Sequence, residues 1–124
     1  MPNQANNVPV GTISGSSLYK VGWNTGDIDV FCGNSNNQHM LNKHPSDYAN
    51  YQSEIANIVN NADYIGYDQN DGSIELVKYF QTTGDYVKIA VRESANGVYF
   101  ARSLYTLNIQ RAQRFIANGT LQAC

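Results

Sequence analysis

A chain of 124 residues that is 42% hydrophobic and 11% aromatic has the size and apolar content for one domain with an ordinary core. Its net charge of -2 and pI near 5.5 exclude a general nucleic-acid coat, which needs clustered Lys and Arg to neutralise phosphates. No apolar run approaches the roughly 18 to 20 residues of a membrane span, and the polar start MPNQANN has no signal-peptide core, so a soluble protein is expected.

The charge is unevenly distributed. From Lys78 onward, Lys78, Lys88, Arg92, Arg102, Arg111 and Arg114 face only Asp85 and Glu93, whereas before it Lys20 and Lys43 face eight acids. A local basic site on an acidic protein is therefore expected in the C-terminal half. Nine tyrosines against four phenylalanines and one tryptophan suggest half-buried rings whose hydroxyls find partners. Cys32 and Cys124 define no disulfide framework and are expected as free thiols. Without a CxxC pair or a His/Cys/Asp cluster at ligand spacing, neither a metal site nor a cofactor is expected.

Residues 1–7 read as a disordered lead and 8–124 as a single domain. VPVGTI, 8–13, reads as a short edge strand in which Pro9 sits where no ladder donor is needed. The stretch 14–37 is dense in Gly, Ser, Asn and Asp and is expected to be mostly irregular, with DIDVF the one hint of a strand. Residues 35–44 suit a short helix that stops at His44, because the residue before a proline is pushed out of the helical region. Pro45 then opens a second helix, capped by His44, Ser46 or Asp47. Its apolar positions Tyr48, Tyr51, Ile55, Ile58, Val59 and Ala62 recur at three- and four-residue spacing.

Beyond it the apolar period changes to two. YIGY and SIELVKYF flank the turn DQNDG and predict a hairpin reversing at Asp71-Gly72. YVKIAVRE follows, with Val87, Ile89 and Val91 on one face and Lys88, Ala90 and Arg92 on the other. The turn SANG leads into VYFARSLY, and a helix over about 108–118 is stopped by Gly119. The expected fold class is α+β: N-terminal helices packed on a roughly four-stranded antiparallel sheet, closed by a C-terminal helix.

Several residue types in this frame carry chemistry. In a helix over 35–44, His39 and Lys43 share a face at i and i+4, while the chain bends at His44. Two histidines can supply the base and the acid of a displacement reaction near neutral pH; the competing reading is a polar, solvated helix end. Arg92 and Ser94 close one strand, and Arg102, Ser103, Tyr105 and Thr106 lie on the next. Cross-strand pairing can therefore gather two guanidiniums and several hydroxyls fit to clamp a phosphate, unless they form only a solvated sheet face. Lys78 shares its face with Ile74, Leu76 and Phe80 and is expected to snorkel at the rim. Glu75, on the other face, is expected to pair with Lys88 or Arg92. Trp23, Tyr64, Tyr67 and Tyr99 are either base-stacking platforms or, as aromatic residues beside strands usually are, core rim.

Histidines, lysines, arginines and hydroxyls without paired carboxylates are the set that metal-free RNA cleavage requires. The 2'-hydroxyl is the nucleophile, and the protein supplies a base, an acid and cations for the phosphate. HMLNKHPSDYANY, ADYIG, SIELVKYF, VKIAVRES and YFARSLYTLN, in that order, resemble the phage and polymorphic-toxin nuclease domains grouped with barnase, EndoU, colicin-type RNases and RelE (BECR), in their phage-type branch. The resemblance runs from about residue 8 to residue 121. It implies helices followed by a four-stranded sheet that carries a metal-independent RNase site. The motif positions fall on His39, Lys43, His44, Lys78, Arg92, Ser94, Arg102, Ser103 and Tyr105; the family commonly has Thr where this chain has Ser103.

The leading expectation is thus a monomeric endoribonuclease, a toxin or phage effector cutting structured RNA such as tRNA in the cytoplasm and held in check by an immunity or antitoxin partner. His44 is first choice for base and His39 for acid, with the roles open to reversal. Arg92, Arg102, Lys43 and Lys78 would stabilise the transition state, and Ser94, Ser103 and Tyr105 would orient the phosphate. The alternatives are a non-catalytic phage accessory or inhibitor protein using the same sheet, and a phosphoryl- or ADP-ribosyl-transferring toxin.

Overall fold

A computed structural model describes residues 8–124; the expected lead at 1–7 lies outside them. Strand β1 (Val8–Ile13) is followed by helix α1 (Gly15–Tyr19), β2 (Ile28–Cys32), α2 (Asn34–Lys43) and α3 (Pro45–Tyr51). A 3-10 turn (Gln52–Glu54) leads to α4 (Ile55–Asn60), β3 (Tyr64–Asp68), β4 (Ser73–Phe80), β5 (Asp85–Glu93), β6 (Tyr99–Leu107), α5 (Ile109–Ala117) and β7 (Gln122–Ala123). The strands form one sheet in the order β1-β2-β6-β5-β4-β3-β7.

The α+β class, the C-terminal helix and the β3–β6 meander agree with the sequence reading, but the sheet is larger and mixed. β2 pairs with β6 in parallel, through Val30↔Tyr99 and Phe31↔Phe100, and β1 pairs with β2 as the edge strand that VPVGTI predicts. A parallel partner about seventy residues further along leaves no local signal, so the stretch 14–37 looks irregular although it holds α1, β2 and the start of α2. In β2 the buried Ile28, Val30 and Cys32 alternate with exposed Asp29 and half-buried Phe31, which is the part of the pattern DIDVF reveals.

The long helix expected after Pro45 is broken in two. Tyr51 (φ -124°, ψ 3°) and Glu54 (φ -100°, ψ 3°) leave helical geometry, because the two halves answer to different parts of the sheet. On the first half, Asp47 accepts from Thr106 and the Tyr51 hydroxyl bonds Thr83 and Asp85. On the second half, Asn60 Oδ1 accepts the Thr12 N–H of β1 at 2.9 Å. Tertiary anchoring here overrides a helical period that runs through both halves.

The main core fills one side of the sheet, where Met40, Tyr51, Ile55, Ile58 and Val59 pack on Ile74, Leu76, Val87, Ile89, Val91 and Leu104. A smaller cluster lies on the other side under α5, where Ala112, Phe115 and Ile116 meet Val77, Leu107 and Leu121. The hairpin reverses at Gly72, whose φ of +72° favours a residue without Cβ. Cys32 is buried and Cys124 exposed, both as free thiols. No helix of the described residues is long and apolar enough to cross a membrane.

Candidate functional site

The second side of the sheet, only partly covered by α5, presents alternate residues of β4, β5 and β6 in register. One row runs Val77–Lys88–Tyr105 and the next Glu75–Ala90–Ser103. Lys88 Nζ is 2.7 Å from Glu75 Oε2, and the two side chains are 14% and 16% exposed. The same ammonium stands 5.1 Å from the centre of the Tyr105 ring, close enough for a cation–π contribution. Burial works to lower the Lys88 pKa, but hydrogen bonds with Glu75 and Tyr105 and the Glu75 charge outweigh it, so the amine titrates above its ordinary value and stays cationic.

The α2–α3 corner adds a third group. β2 covers β6 only at Tyr99 and Phe100, so the rest of that edge of β6 is open to the helices. Asp47 Oδ2 accepts the Thr106 N–H at 3.0 Å on this edge, fixing the first turn of α3 against it. Pro45 opens α3, and His44 is left between the two helices with φ -140° and ψ 70°. Its imidazole stacks on Tyr105, with centroids 4.8 Å apart and planes 29° apart. His44, Tyr105, Lys88 and Glu75 therefore form one connected group of imidazole, phenol, ammonium and carboxylate.

The other residues named from sequence lie around this group at different distances. Ser103 is one row away, opposite Ala90. Arg92 is on the same side, four residues from Lys88 along β5 and thus about 13 Å away by strand rise, opposite Phe100. Arg102 is the extra residue of a β-bulge: Ala90 pairs with Ser103 and Val91 with Ala101, so Arg102 has no partner in the ladder. It lines a depression of about 310 Å³ with Ser35, Asn36 and Phe100. Neither guanidinium carries an ion pair among the described residues.

His39 and Lys43 are exposed on α2, with no hydrogen bond or ring contact to the His44–Tyr105 group among the described residues. Ser94 Oγ accepts the N–H groups of Asn96 and Val98 at 3.3 and 3.2 Å and so organises the turn between β5 and β6. Lys78 snorkels, as expected. It is on the main-core side of β4, donates to the Asn61 carbonyl at 2.9 Å and stands 3.9 Å from Asp63. Tyr99 and the exposed Tyr67 pack edge-on against Trp23, and Trp23 and Tyr99 are on the rim of the core.

Glu75 and Lys88 are the members of the group that residue types alone did not nominate. The signal available was their pairing across β4 and β5, which by residue type alone is an ordinary salt bridge. Among the described residues no three His, Cys, Asp or Glu side chains gather to hold a metal ion.

Comparison with curated proteins and with solved structures gives no match. The order of the sequence motifs nevertheless resembles that of the phage-type BECR nucleases, and the family comparison agrees on the family. Residues 9–114 match PBECR3, described as phage-Barnase-EndoU-ColicinE5/D-RelE like nuclease3, and the chain belongs to this family of nucleases.

Proposed function

We propose that the protein is an endoribonuclease that needs no metal, cleaving by attack of the 2'-hydroxyl on the adjacent phosphorus to leave a 2',3'-cyclic phosphate. The observation that supports this reading is the His44 imidazole stacked on Tyr105 beside the Lys88 ammonium. His44 takes the 2'-hydroxyl proton as general base. Lys88 holds the charge that grows on the phosphate oxygens, while Glu75 orients the ammonium. As the P–O5' bond breaks, the Tyr105 hydroxyl gives its proton to the leaving oxygen and Lys88 stabilises the phenolate; His44 returns its proton through solvent. His39, the acid first suggested by residue type, competes with Tyr105 for that role, and Ser103 contacts the phosphate. Arg92 and Arg102 supply positive charge along the path of the strand, with Lys43 at its outer edge.

Incubation of the pure protein with total RNA in EDTA tests the proposal. Products ending in 2',3'-cyclic phosphate are expected, and full activity in His44→Ala would overturn the assignment. The acidic pI near 5.5 favours a second reading, a binding module that engages RNA or a host protein through the same sheet. Its outcome in this experiment is no cleavage of any RNA. A toxin role on tRNA with a cognate immunity partner extends the first reading, and co-expression toxicity relieved by a neighbouring open reading frame would support it.

A further inference from the structure

The β6 bulge and the first turn of α2 border a feature that the proton transfers above do not use. The depression of about 310 Å³ is lined by Phe100, Arg102, Asn36 and Ser35. Its volume is at the lower end of what small-ligand pockets need and suits one planar ring system. Phe100 is half-buried, so its ring is held by the sheet yet partly open. Asn36 Oδ1 is already occupied by the Gly33 N–H at 2.8 Å, which leaves its Nδ2 as a donor. Arg102 has donors only, and no carboxylate lines the depression.

We infer that this depression is a base-binding subsite that takes one nucleobase of the RNA, flanking the scissile phosphate, and favours keto bases over amino bases; this rests on the endoribonuclease reading above. Phe100 supplies a stacking face, which every base can use and which gives affinity without selection. Selection comes from the donors. Where guanine O6 or uracil O4 faces Arg102 and Asn36 Nδ2 it accepts from them, whereas at the same edge position adenine N6 and cytosine N4 direct amino N–H groups at donors that cannot accept them. The bulge is the positioning device: it releases Arg102 from the ladder toward the depression while Ser103 and Tyr105 stay in register with Ala90 and Lys88. By strand rise the subsite begins about 10 Å along β6 from Tyr105, beyond the phosphate held there.

The test uses 2'-O-methyl pentanucleotides, which lack the attacking hydroxyl, with an adenine background and a single G, U or C at each position in turn. Binding is read by fluorescence anisotropy. A G or U at one position is expected to tighten binding about fivefold or more over A or C there. Arg102→Gln, an exposed substitution that spares the core, should abolish that preference, and Phe100→Leu should weaken all four about tenfold. Equal binding of the four at every position, or a preference that survives Arg102→Gln, overturns the inference. Parallel incubation of the all-ribose pentanucleotides separates the two readings. Cleavage without base preference removes the subsite and keeps the nuclease; preference without cleavage does the reverse.

Discussion

The imidazole of His44 lies on the ring of Tyr105, with 4.8 Å between centroids, so the histidine at a helix corner is positioned by the central part of the sheet. This relationship separates two roles that a single alanine substitution would confuse. His44→Phe keeps a stacking ring but has no proton to move, and it should fold with an unchanged melting temperature. RNA cleavage should fall by about 100-fold or more, as loss of a general base does. Parallel melting curves and initial rates check this, and a His44→Phe protein that cuts at the wild-type rate would reduce the stack to packing.

The Glu75–Lys88 pair should behave as a coupled unit. Lys88→Met leaves Glu75 without its partner in a site where both side chains are mostly buried, at a cost of about 3 kcal/mol. Adding Glu75→Gln or Glu75→Leu should recover much of that loss, since the double replacement removes the uncompensated charge. Urea denaturation of the two single variants and the double variant gives the coupling directly; additive losses would mean the pair does not interact in solution.

The same pair fixes a pH dependence. Burial alone would lower the Lys88 pKa, but Glu75 and Tyr105 hold it above the ordinary 10.5. A raised folded-state pKa gives stability that is complete below the unfolded value and is lost as pH rises through the folded value. The stability difference between wild type and Lys88→Met should therefore be constant from neutral pH to about 10 and shrink only above it. A difference that decays near pH 7 would contradict the assignment.

The two thiols should differ in reactivity. Burial pushes Cys32 up to about 11 and keeps it 4% exposed, whereas Cys124 is at the surface with a more modest rise, also from burial. Iodoacetamide at pH 8 should add one label to the native protein and two in urea, read by intact mass, with Cys124 carrying the first. Rapid double labelling of the native state would require β2 to open.

Local patterns in the sequence carried the strands and helices whose partners are near in the chain. The period-two runs of β3 to β6, the stop at His44 before Pro45 and the Gly119 stop all follow from residue-level rules and match the structure. Parallel pairing of β2 with β6, and the break between α3 and α4, depend on contacts far along the chain and left no local trace. The site was partly legible for the same reason. His44, Ser103 and Tyr105 could be named from type and spacing, but counting back from the β5–β6 turn without a bulge pairs Lys88 with Leu104. The extra residue at Arg102 shifts the ladder by one and brings Tyr105 opposite Lys88 instead.

That shift leads to a prediction about backbone rather than side chains. Since Arg102 is outside the ladder, deleting it leaves Ala101 opposite Val91 and Ser103 opposite Ala90, with every later side chain of β6 on its present face. The deletion variant should therefore fold, keep Lys88 opposite Tyr105, and melt within several degrees of wild type. The same deletion at Val77, in the bulge-free strand β4, shifts the rest of the strand by one and turns Lys78 and Phe80 to the opposite face. Because β4 pairs on both edges, no neighbour can absorb that slip, and the Val77 deletion should fail to give a cooperative thermal transition. Circular dichroism melts of the two variants decide the matter: if both unfold alike, Arg102 is not the spare residue of the strand, and the register on which the site depends is wrong.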